Sequence, residues 1–265
     1  MKRESIPSDP ELTLRFFSWS PSLSEITLRD GHGRQVFLEG FGEGWHYHSE
    51  IELTLFTEGE GMRFVGDDIS HFHAPELVLI GSNLPHFWQT ERSAGLCIQF
   101  SIEPQSPLAA LREIGSIRPL LDRANRGLLF NGDGLQNLTQ QLVESSGESG
   151  LVRLSRVLEI LSHLSDQPAG PLSKLAMRTT ESSHQFAIKA AVQYLLDHFG
   201  NESLQLDDVL KHIGLSRATF SRHFQVALGQ SYTKFLQSIR LENARRLITT
   251  THRPITNIAY DSGFG

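Results

Sequence analysis

Cysteine is almost absent. Cys97 stands alone in 265 residues, which excludes a disulfide within the chain and fits a reducing compartment, where such bridges seldom persist. Long apolar runs are missing too. No stretch reaches the roughly 20 residues a membrane helix needs, and the basic start at Met1 to Arg3 is not followed by the apolar core of a secretory leader. A soluble, cytoplasmic protein without membrane contact is expected. An excess of one charge is also lacking, since 24 Lys and Arg face 30 Asp and Glu for a net −6. A protein that coats nucleic acid with its whole surface is thereby excluded. The charge that is present is unevenly spread. Residues 1 to 180 carry 15 basic and 23 acidic side chains, residues 181 to 265 carry 9 and 7, and from Ser216 to Arg246 six bases (Arg217, Arg222, Lys234, Arg240, Arg245, Arg246) accompany one acid, Glu242. A local basic face belongs to an acidic chain.

The length suggests two domains, each able to bury a core. From about Thr13 to Glu103, short apolar runs (LTLRFF, RQVFL, IELTLF, GMRFV, ELVLI, GLCIQF) alternate with turn signals such as EGEG and VGDD. This spacing predicts an antiparallel β-barrel or jelly roll over residues 1 to 103. After Pro104 the period becomes helical, and Leu151, Leu154, Leu158 and Leu161 fall on one face of a helical connector over residues 104 to 165. That stripe reads as core first, with a role in dimerisation held open. Residues 166 to 183, rich in Pro, Ser, Thr and Gly, read as a linker, and residues 184 to 265 as an all-α domain. The fold class expected is α+β.

In the barrel, His46, His48 and Glu52 share parity, so an extended strand would turn them to one side. His86 would arrive from another strand. Three imidazoles and a carboxylate suit Mn, Fe, Ni, Zn or Cu, and a hydrogen-bonded polar cluster lining a small-molecule pocket is the competing reading. Trp45, Phe64, Phe87 and Trp88 are candidate apolar walls for such a pocket, against a reading as plain core. His71 and His73 repeat the His-x-His spacing, but without a carboxylate at the matching offset they read as strand or loop histidines. The spacing Gly40, His46, His48, Glu52, Gly59 resembles the first motif of the cupin superfamily. His86 stands where the second motif has its histidine, although that motif's glycine and Pro-x-Gly turn are replaced between Pro75 and Asn83.

In the last third, Val209, Leu210 and Ile213 form one apolar face ending at Gly214, Ser216 is a natural N-cap, and Phe220, Phe224 and Leu228 repeat at i, i+4 and i+8. This is the layout of a helix-turn-helix. It turns Arg217, Ala218, Ser221, Arg222 and Gln225 outward, residue types that grip phosphate, bond base edges or touch a thymine methyl. The Gly214 to Ser216 turn, Phe220, Arg222, Phe224, Gly229, Ser231 and the run Phe235 to Ile248 resemble the AraC/XylS regulator family. The resemblance implies two helix-turn-helix units bridged by a long helix (about Ser231 to Thr249), with Arg217, Ala218, Ser221 and Arg222 in the first recognition helix. It further implies a cupin-type sensor domain for a small-molecule effector, a double-stranded DNA operator as partner, a homodimer, and RNA polymerase as partner for an activator. Ile255, Ile258 and Ala259 look like the first helix of the second unit and Gly263 and Phe264 like its turn. The next recognition helix would follow Gly265, so the sequence reads as truncated there and weak operator binding by a monomer is expected.

The expected function is therefore a ligand-responsive DNA-binding regulator with no catalysis and no required cofactor, a divalent metal in the barrel being the one option. The alternatives are a metal-dependent cupin enzyme, such as a dioxygenase or isomerase, and an effector-binding subunit without DNA binding.

Overall fold

A computed structural model of the chain describes residues 2–3, 13–29, 35–38, 44–131, 135–148, 150–174 and 184–264. Gly40 of the cupin-like motif and residues 175–183 of the expected linker lie outside the described residues. In chain order the strands are β1 (Lys2–Arg3), β2 (Leu14–Trp19), β3 (Thr27–Arg29), β4 (Gln35–Phe37), β5 (His46–Tyr47), β6 (Ile51–Val65), β7 (Asp68–His73), β8 (Glu76–Ile80), β9 (His86–Gln89), β10 (Ser93–Phe100), β11 (Leu128–Phe130) and β12 (Ala169–Pro171). The helices are α1 (Arg118–Arg123), α2 (Leu135–Ser145), α3 (Gly150–Ser165), α4 (Gln185–His198), α5 (Leu206–Ile213), α6 (Arg217–Leu228), α7 (Tyr232–Thr250) and α8 (Ile255–Asp261). An antiparallel, sheet-rich N-terminal region followed by helices is the α+β architecture expected. Among the described residues the sheet is open and not a closed barrel: its hydrogen-bonded path runs β1-β5-β9-β6-β10-β2-β3-β4, with β7 and β8 also on β6.

The 15-residue β6 organises everything. Its first half pairs with β8 and β10, its second half with β7 and β9. The EGEG segment, expected as a turn, is continuous strand. The pairing with β10 slips at this point: Gly95 faces Phe56 and Ala94 faces Glu58, leaving Thr57 as an extra residue. Such a bulge bends the strand and exchanges its two faces. Glu52, Thr54 and Phe56 point into the sheet domain before the bulge, and Val65 does so after it. Gly59, at φ 103°, sits where a Cβ would stand 2.4 Å from the Arg92 carbonyl oxygen, so only glycine fits.

Three apolar cores follow. One fills the sheet domain with Phe17, Trp19, Phe56, Phe72 and Trp88. A second lies between Leu53, Leu55, Leu79 and Ile98 of the sheet and the connector helices. There α3 buries Val157, Ile160, Leu161 and Leu164, with Leu154 and Leu158 half-buried, whereas Leu151 is 78% exposed. The expected stripe is thus rotated: Leu151 sits in the first turn, ahead of the part of the helix that meets the sheet. Two short strands lie in the regions that follow the sheet. The region over 104 to 165 contains β11, and the linker region begins with β12, which extends the sheet by pairing with β11 and through it β8.

The third core belongs to the helices that follow. Ser216 caps α6, its Oγ accepting from Thr219 N at 3.3 Å, and Gly214 at φ 69° makes the turn from α5. Phe220, Phe224 and Leu228 are fully buried. This core does not stop at the domain edge, for Trp45, Tyr47, Phe64 and Phe87 of the sheet pack into it with Ile188, Phe224 and Phe235. Phe224→Ala should cost about 3–5 kcal/mol, as expected for a buried ring. Val226→Ala, two residues on and 66% exposed, should cost less than about 0.5 kcal/mol. Urea unfolding of both variants measures the contrast.

Candidate functional site

His46, His48 and His86 of the sheet domain converge from β5, the residue after it and β9. In each ring Nδ1 donates to a nearby backbone carbonyl: His46 to Gly44 at 2.9 Å, His48 to Glu50 at 3.0 Å and His86 to Leu84 at 2.8 Å. That bond fixes the ring and leaves Nε2 as the second nitrogen. The three candidate ligand atoms lie within 4.8 Å of one another and all three residues are buried. His86 Nε2 has no hydrogen-bond partner among the described residues. Glu52 is placed beside the trio, not within it. Its Oε2 stands 3.0 Å from His48 Nε2 and accepts from Gln99 Nε2 at 2.9 Å; its Oε1 accepts from Thr54 at 2.6 Å and lies 3.7 Å from His86 Nε2. Burial alone would raise the Glu52 carboxyl. The nearby His86 and the hydrogen bond with His48 Nε2 outweigh it and hold the group well below the usual carboxylate range.

Glu52 and His46 form the polar floor of a cavity of about 50 Å³ whose walls include Phe17, Trp19, Phe56, Trp88 and Cys97. Trp88 is among these walls. Trp45 and Phe64 are not, and the expectation that they wall the pocket is corrected. Trp45 has opposite parity to His46, and the bulge at Thr57 turns Phe64 away from the side that Glu52 faces. Both rings, with Phe87, pack against the C-terminal helices instead. Thr54, Phe56, Cys97 and Gln99 were missed. Thr54 and Phe56 continue the Glu52 alternation, a signal the sequence carries; Cys97 and Gln99 enter through pairing, opposite Thr54 and Glu52, and are invisible without the register.

On the other domain, α6 exposes Arg217, Ala218, Ser221, Arg222 and Gln225 together. Arg217 donates to Asp207 at the start of α5 (2.6 Å) and Arg222 lies 3.4 Å from the His223 ring nitrogen. The buried Phe220 and Phe224 pin the opposite side. This is a rigid helix with a basic and hydrogen-bonding outer face, raised on a capped turn, the geometry that enters a major groove. The helix α7 bridges to α8, where Ile258 is buried and Gly263 adopts φ 81°.

Residues 209–265 match a family described as a helix-turn-helix domain. The chain is 26% identical over 232 residues to the HTH-type transcriptional regulator YfiF of Bacillus subtilis (strain 168), covering 83% of this chain and 71% of that one. It is 30% identical over 77 residues to the arabinose operon regulatory protein of Escherichia coli (strain K12), of whose length it spans 26%, and 29% of this chain is involved. Among solved structures, the C-terminal domain of AraT, a response regulator from Geobacillus stearothermophilus, is 32% identical, covering 31% of this chain and 69% of that one with a TM-score of 0.30.

The lowered Glu52 group makes a prediction about acid stability. A carboxyl whose folded value lies below its ordinary 4.5 stabilises fully above that pH, and its contribution is lost as pH falls through the folded value. In chelator-treated protein, Glu52→Gln should therefore remove part of the acid dependence of the unfolding free energy. Curves of equal slope for both proteins would contradict the assignment.

Proposed function

Since the chain belongs to the AraC/XylS family of transcription regulators, we propose that it binds a specific operator through α6 and takes a small effector in its sheet domain. The observation that carries the first half is the exposed outer face of α6, where Ser221, Arg222 and Gln225 are open and Arg217, also exposed, pairs with Asp207 of α5, while Phe220 and Phe224 fix the helix below. Arginine and glutamine there read base edges, and each good bidentate pair contributes about 1–3 kcal/mol of discrimination. The family works with chromosomal DNA, and no described helix is long and apolar enough to cross a membrane, which supports a cytoplasmic site of action. The reading includes a homodimer, because two-fold operators mirror two-fold proteins, and contact with RNA polymerase if the regulator activates.

The effector half rests on the cavity over Glu52. Its aromatic walls and polar floor are of the kind that takes a ligand with an apolar body and one hydrogen-bonding end, and at about 50 Å³ the space must widen to admit one. The reading assigns this cavity binding and no reaction. The residues also fit a divalent metal: His46, His48 and His86 would hold it through Nε2, each ring already steadied at Nδ1 by a backbone carbonyl, and the ion would take the place of the Glu52 contact at His48 Nε2. The buried, unpartnered His86 Nε2 favours that set over a purely hydrogen-bonded cluster. A bound ion would offer the ligand's polar end a Lewis-acidic anchor.

Two experiments test these readings. Genomic fragments retained by the chain are selected and used in gel shifts. Arg222→Ala should then weaken binding by about 1–3 kcal/mol and lessen the salt dependence if Arg222 also neutralises a phosphate; retention of no fragment, or unchanged affinity in the variant, would count against the DNA reading. For the metal, dialysis against Zn²⁺ should show one buried equivalent that His86→Ala removes.

A further inference from the structure

A second group of ligand-type side chains lies outside the sheet domain's cavity. His71 and His73 are alternate residues of β7, so both rings stand on one face of the strand. The carboxylate missing from their own segment comes across the ladder: Glu60 of β6 is the register partner of His73. The candidate ligand atoms of the three residues lie within 4.8 Å of one another. From this arrangement we propose that His71, His73 and Glu60 form a surface site for a divalent transition-metal ion of the zinc class, separate from the three buried histidines.

The geometry is specific about roles. His71 Nδ1 and His73 Nε2 face each other at 3.1 Å. Two nitrogens bound to one zinc ion at 2.0–2.1 Å and tetrahedral angles stand about 3.3 Å apart. The pair is thus already at the spacing a shared ion requires. The other nitrogen of His73, Nδ1, lies 3.0 Å from Glu60 Oε2. A ring that donates Nδ1–H to a carboxylate presents an unprotonated Nε2, the carboxylate–histidine–metal arrangement. Without metal, His71 Nδ1–H donates to His73 Nε2. With metal, the ion takes the place of that hydrogen, His71 carries its proton on Nε2 instead, and no net proton is lost. Water completes the coordination, since Glu60 and His73 are both exposed.

The position gives the site a second neighbour. Glu60 and His71 line a cleft of about 640 Å³ whose opposite wall is Ile239, Asn243 and Arg246 of the bridging helix α7. A bound dication therefore lies between the sheet domain and the DNA-binding domain. The guanidinium groups of Arg245 and Arg246 both act on His71 and oppose a bound dication, a repulsion that solvent in the open cleft screens.

The test is equilibrium dialysis of the full chain against Zn²⁺ after chelator treatment. The wild-type chain, His71→Ala with His73→Ala, Glu60→Gln, and a His46→Ala with His86→Ala chain are compared. The proposal expects the His71/His73 variant to bind one equivalent fewer than wild type and the His46/His86 variant to keep that equivalent. Glu60→Gln should weaken it by about 10–100-fold, the usual effect of removing a carboxylate behind a ligating histidine. Equal stoichiometry and affinity in wild type and the His71/His73 variant would overturn the site, whatever the buried histidines do. Because His73 and Glu60 are exposed, the His71/His73 and Glu60 comparisons decide the matter even where the buried variant fails to fold.

Discussion

The constraint on which the rest depends is the two-residue period of the strands around residues 45–48, 63–65 and 86–88. Neighbouring side chains of a strand must leave by opposite faces. Here the inner face supplies His46, His48, His86 and Trp88, and the outer face supplies Trp45, Tyr47, Phe64 and Phe87. The cavity over Glu52 and the contact with the C-terminal helices are thus two sides of the same few residues. Phe64 stacks on Phe87 at 4.4 Å, Phe87 meets Trp45 edge-on at 6.0 Å, and Phe64 reaches Phe235 of α7 at 6.3 Å. Closely packed aromatic layers do not absorb displacement in voids. A ligand that shifts His86 or Trp88 therefore acts on the intervening Phe87, which belongs to the other domain's core.

This arrangement defines what an effector has to do. It can change the DNA-binding domain only by binding two arrangements of that aromatic layer with different affinity. The face of α6 is open in the arrangement described, so control by simple masking of the recognition helix has no support in it. Control through the seat of α7 and α4 on the sheet does, because that seat is where Phe224, Phe235 and Ile188 meet Phe64 and Phe87.

Much of this was legible in the residues. The alternation of Glu52 with Thr54 and Phe56, the Gly214 turn with its Ser216 cap, and the i, i+4, i+8 phenylalanines are local patterns. Local sequence determines them through strand parity and helix period. What escaped was non-local. The bulge at Thr57 shows only in the slip against Ala94 and Gly95; without it Phe64 counts as facing the cavity and EGEG counts as a turn. Gln99 enters the site because it lies opposite Glu52, and Glu60 joins His73 for the same reason. The short strands β11 and β12 carry too few residues to declare a period, and they form because the edge strand β8 offers unpaired backbone groups to β11, and β11 in turn offers its own to β12.

Charge then decides how an acidic protein approaches DNA. Residues 1 to 180 carry a net −8 and the remainder +2, so the field at long range repels a duplex and only the α6 end is tolerated close by. At that end Arg217 is already paired with Asp207, both side chains largely exposed. An exposed pair of this kind contributes at most about 1 kcal/mol, so Arg217 can exchange the carboxylate for a phosphate at small cost. On the proposed reading of α6, that exchange leaves Asp207 facing the same backbone, a repulsion that offsets part of what Arg217 gains, while the pair itself contributes little to the fold.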